Sequence, residues 1–287
     1  MNEIEAALIL SRKPTVGAAR FKQLMLENST PIEALNEFNK AQVKKSDKAP
    51  LDIQNAMAYI QEHHATEITW LNKLDYPNKL SLISEPPPVL FYDDPKNILS
   101  QTNHNLSIGI VGSRKTSMDG QHLTEEITKL LTQQDYILVS GLAEGIDSIC
   151  HKTCLNNGGK TIGVIANGID IVYPKSNDEL FREMRENACI CTEFFPKAPP
   201  KSSYFPTRNR IIAGLSDIVI MIEGNEKSGA LYTVKNTLKT NRLCFVPDPS
   251  NFKLRQDGLV IASELGAQKF SSIDDLLEQI SKISLLV

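Results

Sequence analysis

From Leu106 onward, short apolar stretches alternate with stretches of helical periodicity, and this alternation restricts the fold more than any other feature of the chain. The predicted strands are 106–111, 136–140, 161–166, 188–192, 217–223 and 242–246, and the predicted helices are 119–134, 144–157, 177–187, 206–215 and 229–240. Alternating strands and helices form parallel sheets, because each helix crosses a face of the sheet before the next strand begins. The sequence therefore predicts an α/β fold with a doubly wound, mostly parallel sheet, on which ligands bind beyond the carboxyl ends of the strands.

Two further segments precede this sheet domain, which we assign to 106–287. Residues 1–68 place apolar side chains at three- and four-residue spacing, with Thr30 as a helix cap and Pro31 in the first turn, and predict a small all-α domain. Residues 69–105 are rich in proline and, except for the apolar run 89–92, non-periodic, so we interpret them as an extended connector. The amphipathic stretch 271–286 predicts a last helix that closes the domain or contacts a partner.

Composition excludes several classes of protein. The 287 residues carry a formal net charge of -3, so a nucleic-acid site would have to be a local patch and not a generally basic surface. No apolar run of about 18 residues and no signal sequence is present, which predicts a cytoplasmic protein without a membrane partner. The 5 cysteines, an odd number at irregular positions, favour reduced thiols over a disulfide framework.

The segment 197–216 reverses the charge of the chain locally. It carries four cations (Lys197, Lys201, Arg208 and Arg210), two aromatic residues and no acid. The buried strand 217–223 follows at once, so the segment should lie at the edge of a rigid sheet. Arginine offers a fork of donors to phosphate, and aromatic rings stack on bases. These residues predict a polyanion site, with an ordinary solvated loop as the alternative.

Glycine-rich turns follow three of the predicted strands. In the first, Gly112 allows close backbone approach, Ser113 offers a hydroxyl and Arg114 projects from the turn, while Thr116 or Ser117 caps a helix whose N-terminus favours an anion. The others are 140–147 and 166–177. Together with the basic segment they suit phosphate or phosphodiester. No Gly-x-Gly-x-x-Gly or Gly-Lys-Ser/Thr motif is present, so no nicotinamide or P-loop nucleotide cofactor is expected.

Other residue groups allow different interpretations. Cys150, His151 and Cys154 on one helical stretch, or the Cys189 and Cys191 pair, could bind zinc, although core packing explains them more simply. His151 could also act as a base. Asp147 and Glu193 could cap helices, but we favour charge-assisted bonds that anchor Arg208 or Arg210.

Four long motifs, VGSR at 111–114, SGLAEGID at 140–147, the stretch 158–180 and FPTRNRIIAGLSD at 205–217, together resemble the DNA-processing protein A (DprA/Smf) family. The resemblance implies an extended Rossmann-like domain that binds and protects single-stranded DNA in natural transformation and loads the RecA recombinase onto it, without an established catalytic activity. It also implies a homodimer, for which 228–262 is the candidate surface. The N-terminal helices resemble the family's sterile-alpha-motif-like domain, and the winged helix of many members is expected to be absent.

Carried over by position, the resemblance assigns phosphate contacts to Arg114, Lys175, Arg208 and Arg210 and places Phe205 beside a base. It assigns a pocket-shaping role to Gly112, Ser113, Ser140, Gly141, Gly168 and Asn209. The stretches 228–234 and 247–258 depart from the family pattern, which predicts a different loop near the last strands. The competing class is a nucleotide hydrolase of the phosphoribohydrolase type, but the corresponding stretch 227–236 contains no acid to serve as catalytic carboxylate.

Overall fold

A computed structural model of the protein describes residues 1–41 and 50–284. Within them the strands are β1 (Thr66–Trp70), β2 (Val89–Asp93), β3 (Ser107–Val111), β4 (Ile137–Ser140), β5 (Lys160–Val164), β6 (Cys189–Thr192), β7 (Ile218–Met221), β8 (Leu243–Pro247) and β9 (Gln268–Phe270). The helices are α1 (Glu3–Ser11), α2 (Ala18–Glu27), α3 (Pro31–Ala41), α4 (Leu51–Glu62), α5 (Asn78–Ser81), α6 (Ile98–Gln101), α7 (Met118–Gln133), α8 (Ile146–Asn156), α9 (Asp178–Asn187), α10 (Tyr204–Leu215), α11 (Ala230–Lys239), α12 (Asp257–Glu264) and α13 (Ile273–Ser284). A 3-10 turn at Lys175–Asn177 precedes α9.

The described strands form one sheet in the order β1-β2-β6-β5-β4-β3-β7-β8-β9. All neighbours from β6 through β9 pair in parallel, whereas β2 is antiparallel to both β1 and β6. The chain first proceeds from β3 to β6 on one side and then returns to place β7 on the other side of β3. This reversal makes the sheet doubly wound, and the predicted fold class, an α/β protein with a mostly parallel Rossmann-like sheet, is confirmed.

The central strands are apolar runs because both of their faces are covered. Every residue of β3, β4, β6 and β7 is buried, and helices pack on the sheet between them. The predicted strands from 106–111 to 242–246 and the helices from 119–134 to 229–240 each correspond to an element of the structure, with ends that differ by a few residues. Because both faces of these strands are buried, their residues are mostly apolar, and the strands could be predicted from unbroken apolar stretches.

Residues 69–105 contain regular structure where the sequence predicted an extended connector. Thr66–Trp70 and Val89–Asp93 pair in register from Thr66 with Asp93 to Trp70 with Val89, and β2 then continues the sheet at β6. The segment also contains α5 and α6. Prolines 86–88 and Pro95 flank β2 closely, so its short run of apolar residues has no room to display a strand pattern. The sheet was therefore larger than predicted, and the division of the chain at 68 and 105 stays a prediction.

The N-terminal helices form as their caps and apolar spacing predict. Oδ1 of Asn2 accepts the amide of Glu5 at 2.9 Å, and Oγ1 of Thr30 accepts the amide of Glu33 at 3.2 Å, so both helices begin with a side-chain cap. Buried residues of α1 to α4 belong to one continuous hydrophobic core with those of the sheet. No helix among the described residues is both long and apolar enough to span a membrane.

His151 is a core residue of α8. It is buried, and its Nδ1 lies 2.7 Å from Oγ1 of Thr161, which itself donates to the carbonyl of Leu138 at 3.0 Å. Because that hydroxyl donates to Leu138, it accepts from the imidazole, which must carry its proton on Nδ1. Burial lowers the pKa of His151 to about 3, and the nearby Arg208 cation contributes in the same direction. The ring is therefore neutral in the folded chain.

We expect this histidine to make the fold acid-sensitive. The pKa of His151 is depressed from 6.5 to about 3 on folding, so the unfolded chain binds a proton at a higher pH than the folded chain does. Proton binding therefore stabilises the unfolded chain relative to the folded one as the pH falls. Between about pH 7.5 and about pH 5 this single group should lower the free energy of unfolding by about 2 kcal/mol. Urea unfolding of the parent and of His151→Leu at both pH values measures the difference. An equal pH dependence in both proteins would contradict the assignment.

Candidate nucleic-acid interface

A groove lies at the carboxyl ends of β3 and β7, where the strand order reverses, and encloses a volume of about 730 Å³. We call it the switch-point groove. Its walls are formed mainly by residues within 112–115, 205–209 and 225–230, which follow β3, begin α10 and follow β7. Reversal points of this kind are where open α/β sheets bind ligands, because the loops diverge to either side.

A second, smaller cavity of about 90 Å³ adjoins this groove at the ends of β4 and β5. Arg114, Tyr173, Phe205 and Arg208 line both cavities, so the two are parts of one site. Residues within 141–144 and 165–167, among them the polar Glu144 and Asn167, form most of the remaining lining of the small cavity. A ligand in the groove can therefore extend a group toward the sheet edge.

Arg114 and Phe205 form the contact at the mouth of both cavities. The guanidinium carbon of Arg114 lies 4.8 Å from the centre of the Phe205 ring. The centres of the Tyr173 and Phe205 rings are 5.8 Å apart, and the two rings are inclined at 53°. Arg114 is exposed and Phe205 is half-buried. A cation over an aromatic face presents charge and a stacking surface side by side, which suits a phosphate attached to a base.

The loop after β3 is held close to the next loop by glycines. A Cβ at Gly112 would lie 2.6 Å from Cγ1 of Ile146, and Gly145, at φ +75°, would meet the carbonyl oxygen of Ser113 at 2.2 Å. The amide of Ile146 donates to that same oxygen at 3.2 Å. The hydroxyl of Ser113 bonds to the carbonyl and amide of Lys115, and so shapes the turn from which Arg114 projects.

Arg208 lies inside the protein, in contrast to the phosphate role predicted for it. It is 4% exposed, and its Nη1 donates to the carbonyl of Gly141 at 2.6 Å and to that of Val164. Burial lowers its pKa to about 10, and the carboxylate of Asp147 opposes this shift. Burial also raises the pKa of Asp147, against the effect of Arg208. Asp147 therefore stabilises the Arg208 cation through the attraction between their charges, which is the anchoring that the sequence predicted. Through its bonds to the two carbonyls, Arg208 connects the ends of β4 and β5.

The neighbours of Arg208 explain three of the predicted pocket residues. A Cβ at Gly141 would lie 2.6 Å from both Nη2 of Arg208 and Oδ2 of Asp147, so only glycine fits there. Asn209 accepts from Nε of Arg208 at 3.0 Å and donates to the carbonyl of Gly229 at 2.9 Å, joining α10 to the loop before α11. Ser140 is 0% exposed and donates to the carbonyl of Ile110 at 2.6 Å, so it supports the sheet and does not face a ligand.

Arg210 also differs from its predicted phosphate role. Its Nη2 lies 2.6 Å from Oε2 of Glu193, and both side chains are only 15% exposed. This ion pair is the anchoring interaction that the sequence favoured for Glu193. Successive positions of a helix point in different directions, so α10 cannot bring Phe205, Arg208 and Arg210 to one surface.

Gly168 and Lys175 occupy different places. Gly168 packs against the loop after β6, where its amide donates to the carbonyl of Ala198 at 2.9 Å and a Cβ would meet the carbonyl of Phe195 at 2.6 Å. Lys175 is exposed in the 3-10 turn, directly after Pro174, which lines the small cavity. Lys175 is therefore on the rim of the site, and Gly168 supports a neighbouring loop.

The N-terminus of α7 is already occupied, which corrects the expectation that it would attract an external anion. Ser117 caps the helix as predicted, with Oγ accepting the amide of Gly120 at 3.0 Å. The buried carboxylate of Glu223 accepts from the amide and from the hydroxyl of Ser117, at 2.8 Å each. An internal anion thus satisfies this terminus, and the groove must bind through its side chains.

Three exposed cations in the groove were missed by the sequence reasoning. Lys115, Lys227 and Arg255 all line it. Lys115 and Lys227 follow β3 and β7, so their position just beyond strands at the reversal point was a usable signal. Arg255 comes from the loop between β8 and α12, inside the stretch that departs from the family pattern, and only the folded chain brings it to the groove.

The sequence allowed a zinc site as an alternative. In residues 1–41 and 50–284, no group of three or more histidine, cysteine or acidic side chains is placed to bind a metal. The cysteines Cys150, Cys154, Cys189, Cys191 and Cys244 are buried free thiols. Burial raises the pKa of Cys154 to about 11 and that of Cys244 to about 12. They are packing residues of the core.

A doubly wound sheet whose reversal-point groove combines exposed cations with an aromatic ring is typical of proteins that bind phosphorylated ligands. The chain belongs to the DNA recombination-mediator protein A family, whose model matches residues 67–281. The sequence resemblance is thereby confirmed.

Individual relatives agree with this assignment. The chain is 36% identical to DNA processing protein DprA of Bacillus subtilis over 210 residues, which cover 73% of this chain and 70% of that protein. It is 35% identical to Protein Smf of Synechocystis over 240 residues, 81% of this chain, but spans only 59% of that relative. The X-ray structure of DprA from Streptococcus pneumoniae superposes with a TM-score of 0.73 at 27% identity and covers 97% of this chain and 98% of that one.

We predict that the buried and the exposed arginine differ in their effect on stability. Arg208→Ala should lower the free energy of unfolding by about 3 to 5 kcal/mol, because it leaves two carbonyls and the carboxylate of Asp147 without their cation. Arg208→Lys should also destabilise, since an ammonium lacks the planar fork. Arg114→Ala should cost less than about 1 kcal/mol. Denaturant unfolding measures all three, and equal stability of the Arg208 variants and the parent would refute the structural role.

Proposed function

We propose that this protein binds single-stranded DNA in the switch-point groove. The observation that carries the proposal is the contact of Arg114 with Phe205 at 4.8 Å, which offers charge and a stacking face at one point of the groove. A duplex keeps its bases stacked inside, whereas a single strand exposes them to such a ring. Membership of a recombination-mediator family supports the same ligand.

Each predicted site residue has a role in this proposal. Arg114 and Lys175 contact phosphates, and the exposed Lys115, Lys227 and Arg255 extend the same cationic surface. Phe205 stacks on a base. The remaining residues position these groups: Arg208, Asn209 and Gly141 through the buried guanidinium, Gly112 and Ser113 through the turn, and Ser140, Gly168 and Arg210 through the strands and loops around it.

We infer that the protein acts by binding and not by catalysis. The carboxylates around the groove are engaged in internal bonds: Asp147 accepts the amide of Gly141 at 3.1 Å, Glu144 accepts the hydroxyl of Ser176 at 2.7 Å, and Glu223 caps α7. A hydrolase of the phosphoribohydrolase type needs a carboxylate free to stabilise positive charge on the sugar. We propose no metal or nucleotide cofactor.

We propose further that the bound strand is passed to the RecA recombinase, in the cytoplasm, during natural transformation or homologous recombination. The family description as recombination mediator supports this role. A groove that contacts only short lengths of backbone leaves the rest of a long strand accessible to a second protein. The function therefore combines protection of the strand with its delivery.

We propose a homodimer that forms through residues 228–262. The surface of this stretch exposes Tyr232 on α11 by 51% and Val260 on α12 by 45%. Large apolar side chains that remain exposed on neighbouring helices are typical of protein interfaces. A second copy would give two grooves to one DNA strand.

The binding proposal predicts a defined salt dependence. If Arg114, Lys175 and Lys227 each neutralise one phosphate, log affinity for a single strand should fall with log salt at a slope of about -2, and Arg114→Ala should reduce that slope by about 0.7. Phe205→Ala should weaken binding by about 1 to 3 kcal/mol without changing the slope, because stacking releases no counterions. Fluorescence anisotropy with a labelled oligonucleotide across a salt series measures both.

The matched control is Arg182→Ala, which removes a 71% exposed arginine of α9 that pairs with Asp178 away from the groove. It should leave affinity and slope unchanged. Two results would overturn the proposal: folded Arg114→Ala and Lys175→Ala variants that bind like the parent at every salt concentration, or release of base from a nucleoside monophosphate that a groove substitution abolishes.

Delivery of the strand predicts a slower growth of RecA filaments with Arg114→Ala than with the parent, measured at a DNA concentration that saturates the parent.

The dimer proposal predicts that a charge at the centre of the surface separates the subunits. Val260→Glu should give the monomer mass in light scattering at micromolar concentration, because an interface cannot bury an unpaired carboxylate. Leu74→Glu serves as control, since Leu74 is fully exposed and lies outside 228–262. A parent that is monomeric with and without oligonucleotide would exclude the homodimer.

A further inference from the structure

A second groove lies between the N-terminal helices and the loop that follows β6. It encloses about 570 Å³, and its two walls come from different parts of the chain. Ser11 and Arg12 at the end of α1, with Leu51, Asp52 and Asn55 of α4, form one wall, and residues within 193–198 form most of the other. This volume is within the range of about 300 to 1,000 Å³ that is usual for ligand sites. We call it the interdomain groove.

Aromatic rings dominate the wall that the sheet domain contributes. Phe194 and Tyr204 stack with ring centres 4.1 Å apart and an angle of 18°, and both line the groove. Phe195 lies beneath the guanidinium of Arg12, whose carbon is 5.2 Å from the ring centre. The N-terminal helices thus supply a cation to an aromatic surface of the sheet domain, the same combination that Arg114 and Phe205 make in the switch-point groove.

The residues that line the interdomain groove carry two cations, Arg12 and Lys197, and two carboxylates, so any excess of cations comes from the neighbouring Arg210 and Lys201. Its two carboxylates are both paired, Asp52 with Arg12 at 2.7 Å and Glu193 with Arg210 at 2.6 Å. Lys197 lines the groove and reaches across it to Oδ1 of Asn55 at 3.3 Å. Lys201 lies over Tyr204 at 5.3 Å from the ring centre. The exposed surface is therefore cationic and aromatic and suits a polyanion that carries rings.

The two grooves meet at α10. Tyr204 lines the interdomain groove and Phe205, the next residue, lines the switch-point groove. The loop before them divides in the same way, because Lys197 and Ala198 line the first groove and Pro200 and Ser202 line the second. Lys201 lies between these two sets of residues in the sequence, so a chain that leaves one groove can enter the other along the 197–202 loop.

We propose that the interdomain groove binds a further stretch of the same single strand that occupies the switch-point groove, with bases on the Phe194 and Tyr204 surface. Phosphates lie at Lys197, at Lys201 and at the exposed edge of Arg12, whose Nε and Nη2 are held by Asp52. This inference rests on the proposed function. It gives the N-terminal helices a direct part in DNA binding through Arg12 and Asn55. Stacking favours no particular base, so the contact is independent of sequence.

The test compares labelled oligothymidylates of about 6 and about 20 nucleotides, since the shorter one can fill only one groove. Tyr204→Ala should weaken binding of the longer strand by about five- to a hundredfold and leave that of the shorter strand unchanged. Lys197→Gln should lower the salt slope of the longer strand alone by about 0.7, whereas Arg12→Gln, which removes a charge that Asp52 balances, should weaken binding with a smaller change in slope. Ultraviolet cross-linking of the longer strand, followed by mass spectrometry, should identify Tyr204 as a contact.

Matched controls separate binding from folding. Tyr204→Phe keeps the stack and should bind like the parent, and Tyr136→Ala removes a half-buried tyrosine at the other end of the sheet. Arg20→Gln removes an exposed arginine of the same helical segment. If Arg114→Ala weakens both oligonucleotides but Tyr204→Ala and Arg12→Gln weaken neither, the interdomain inference fails while the proposed function stands. If the parent binds neither oligonucleotide, the proposed function itself fails.

Discussion

The buried guanidinium of Arg208 is the interaction on which the candidate interface depends. Its bonds to the carbonyls of Gly141 and Val164 join the ends of two neighbouring parallel strands to the first turns of α10. Those turns carry Phe205, so one cation fixes the ring relative to the sheet edge. Burying a cation is costly unless its donors are satisfied, and here the carbonyls, Asn209 and the nearby Asp147 provide that compensation. The position of Phe205 relative to the sheet edge is therefore set by bonds within the protein.

Sequence reasoning predicted the sheet from buried apolar runs, and from the turns after strands it predicted a site at the sheet edge where the switch-point groove lies. It missed β1, which has only five residues, and β2, which lies between prolines and pairs with β6, a strand distant in sequence. It also grouped Arg208 with Arg114, since residue type alone does not reveal burial. Helical spacing held the missing information: Arg208 precedes the buried Ile212 by four residues and Leu215 by seven, which places it on the core-facing side of α10.

The basic segment 197–216 therefore overstated the charge that a ligand meets. Of its four cations, Arg208 and Arg210 neutralise internal groups, and Lys197 and Lys201 remain exposed. Other exposed cations of the switch-point groove are Lys115, Lys227 and Arg255, which lie outside that segment of the sequence. Charge density along a sequence and charge density on a surface are different quantities, and a chain of net charge -3 can still present a positive groove by pairing its acids internally.

A few exposed cations and one stacking ring give only moderate affinity at a single groove, because each phosphate contact is weakened by salt. A polymer can overcome this if it meets a second surface at once, since the second contact then forms at the high effective concentration set by the short strand between the two. Tyr204 and Phe205 place two aromatic surfaces on adjoining residues of one helix, so the distance between the contacts is fixed by the fold. If the strand is bound and then passed on as we propose, weak individual contacts favour its release, because each one can be broken in turn.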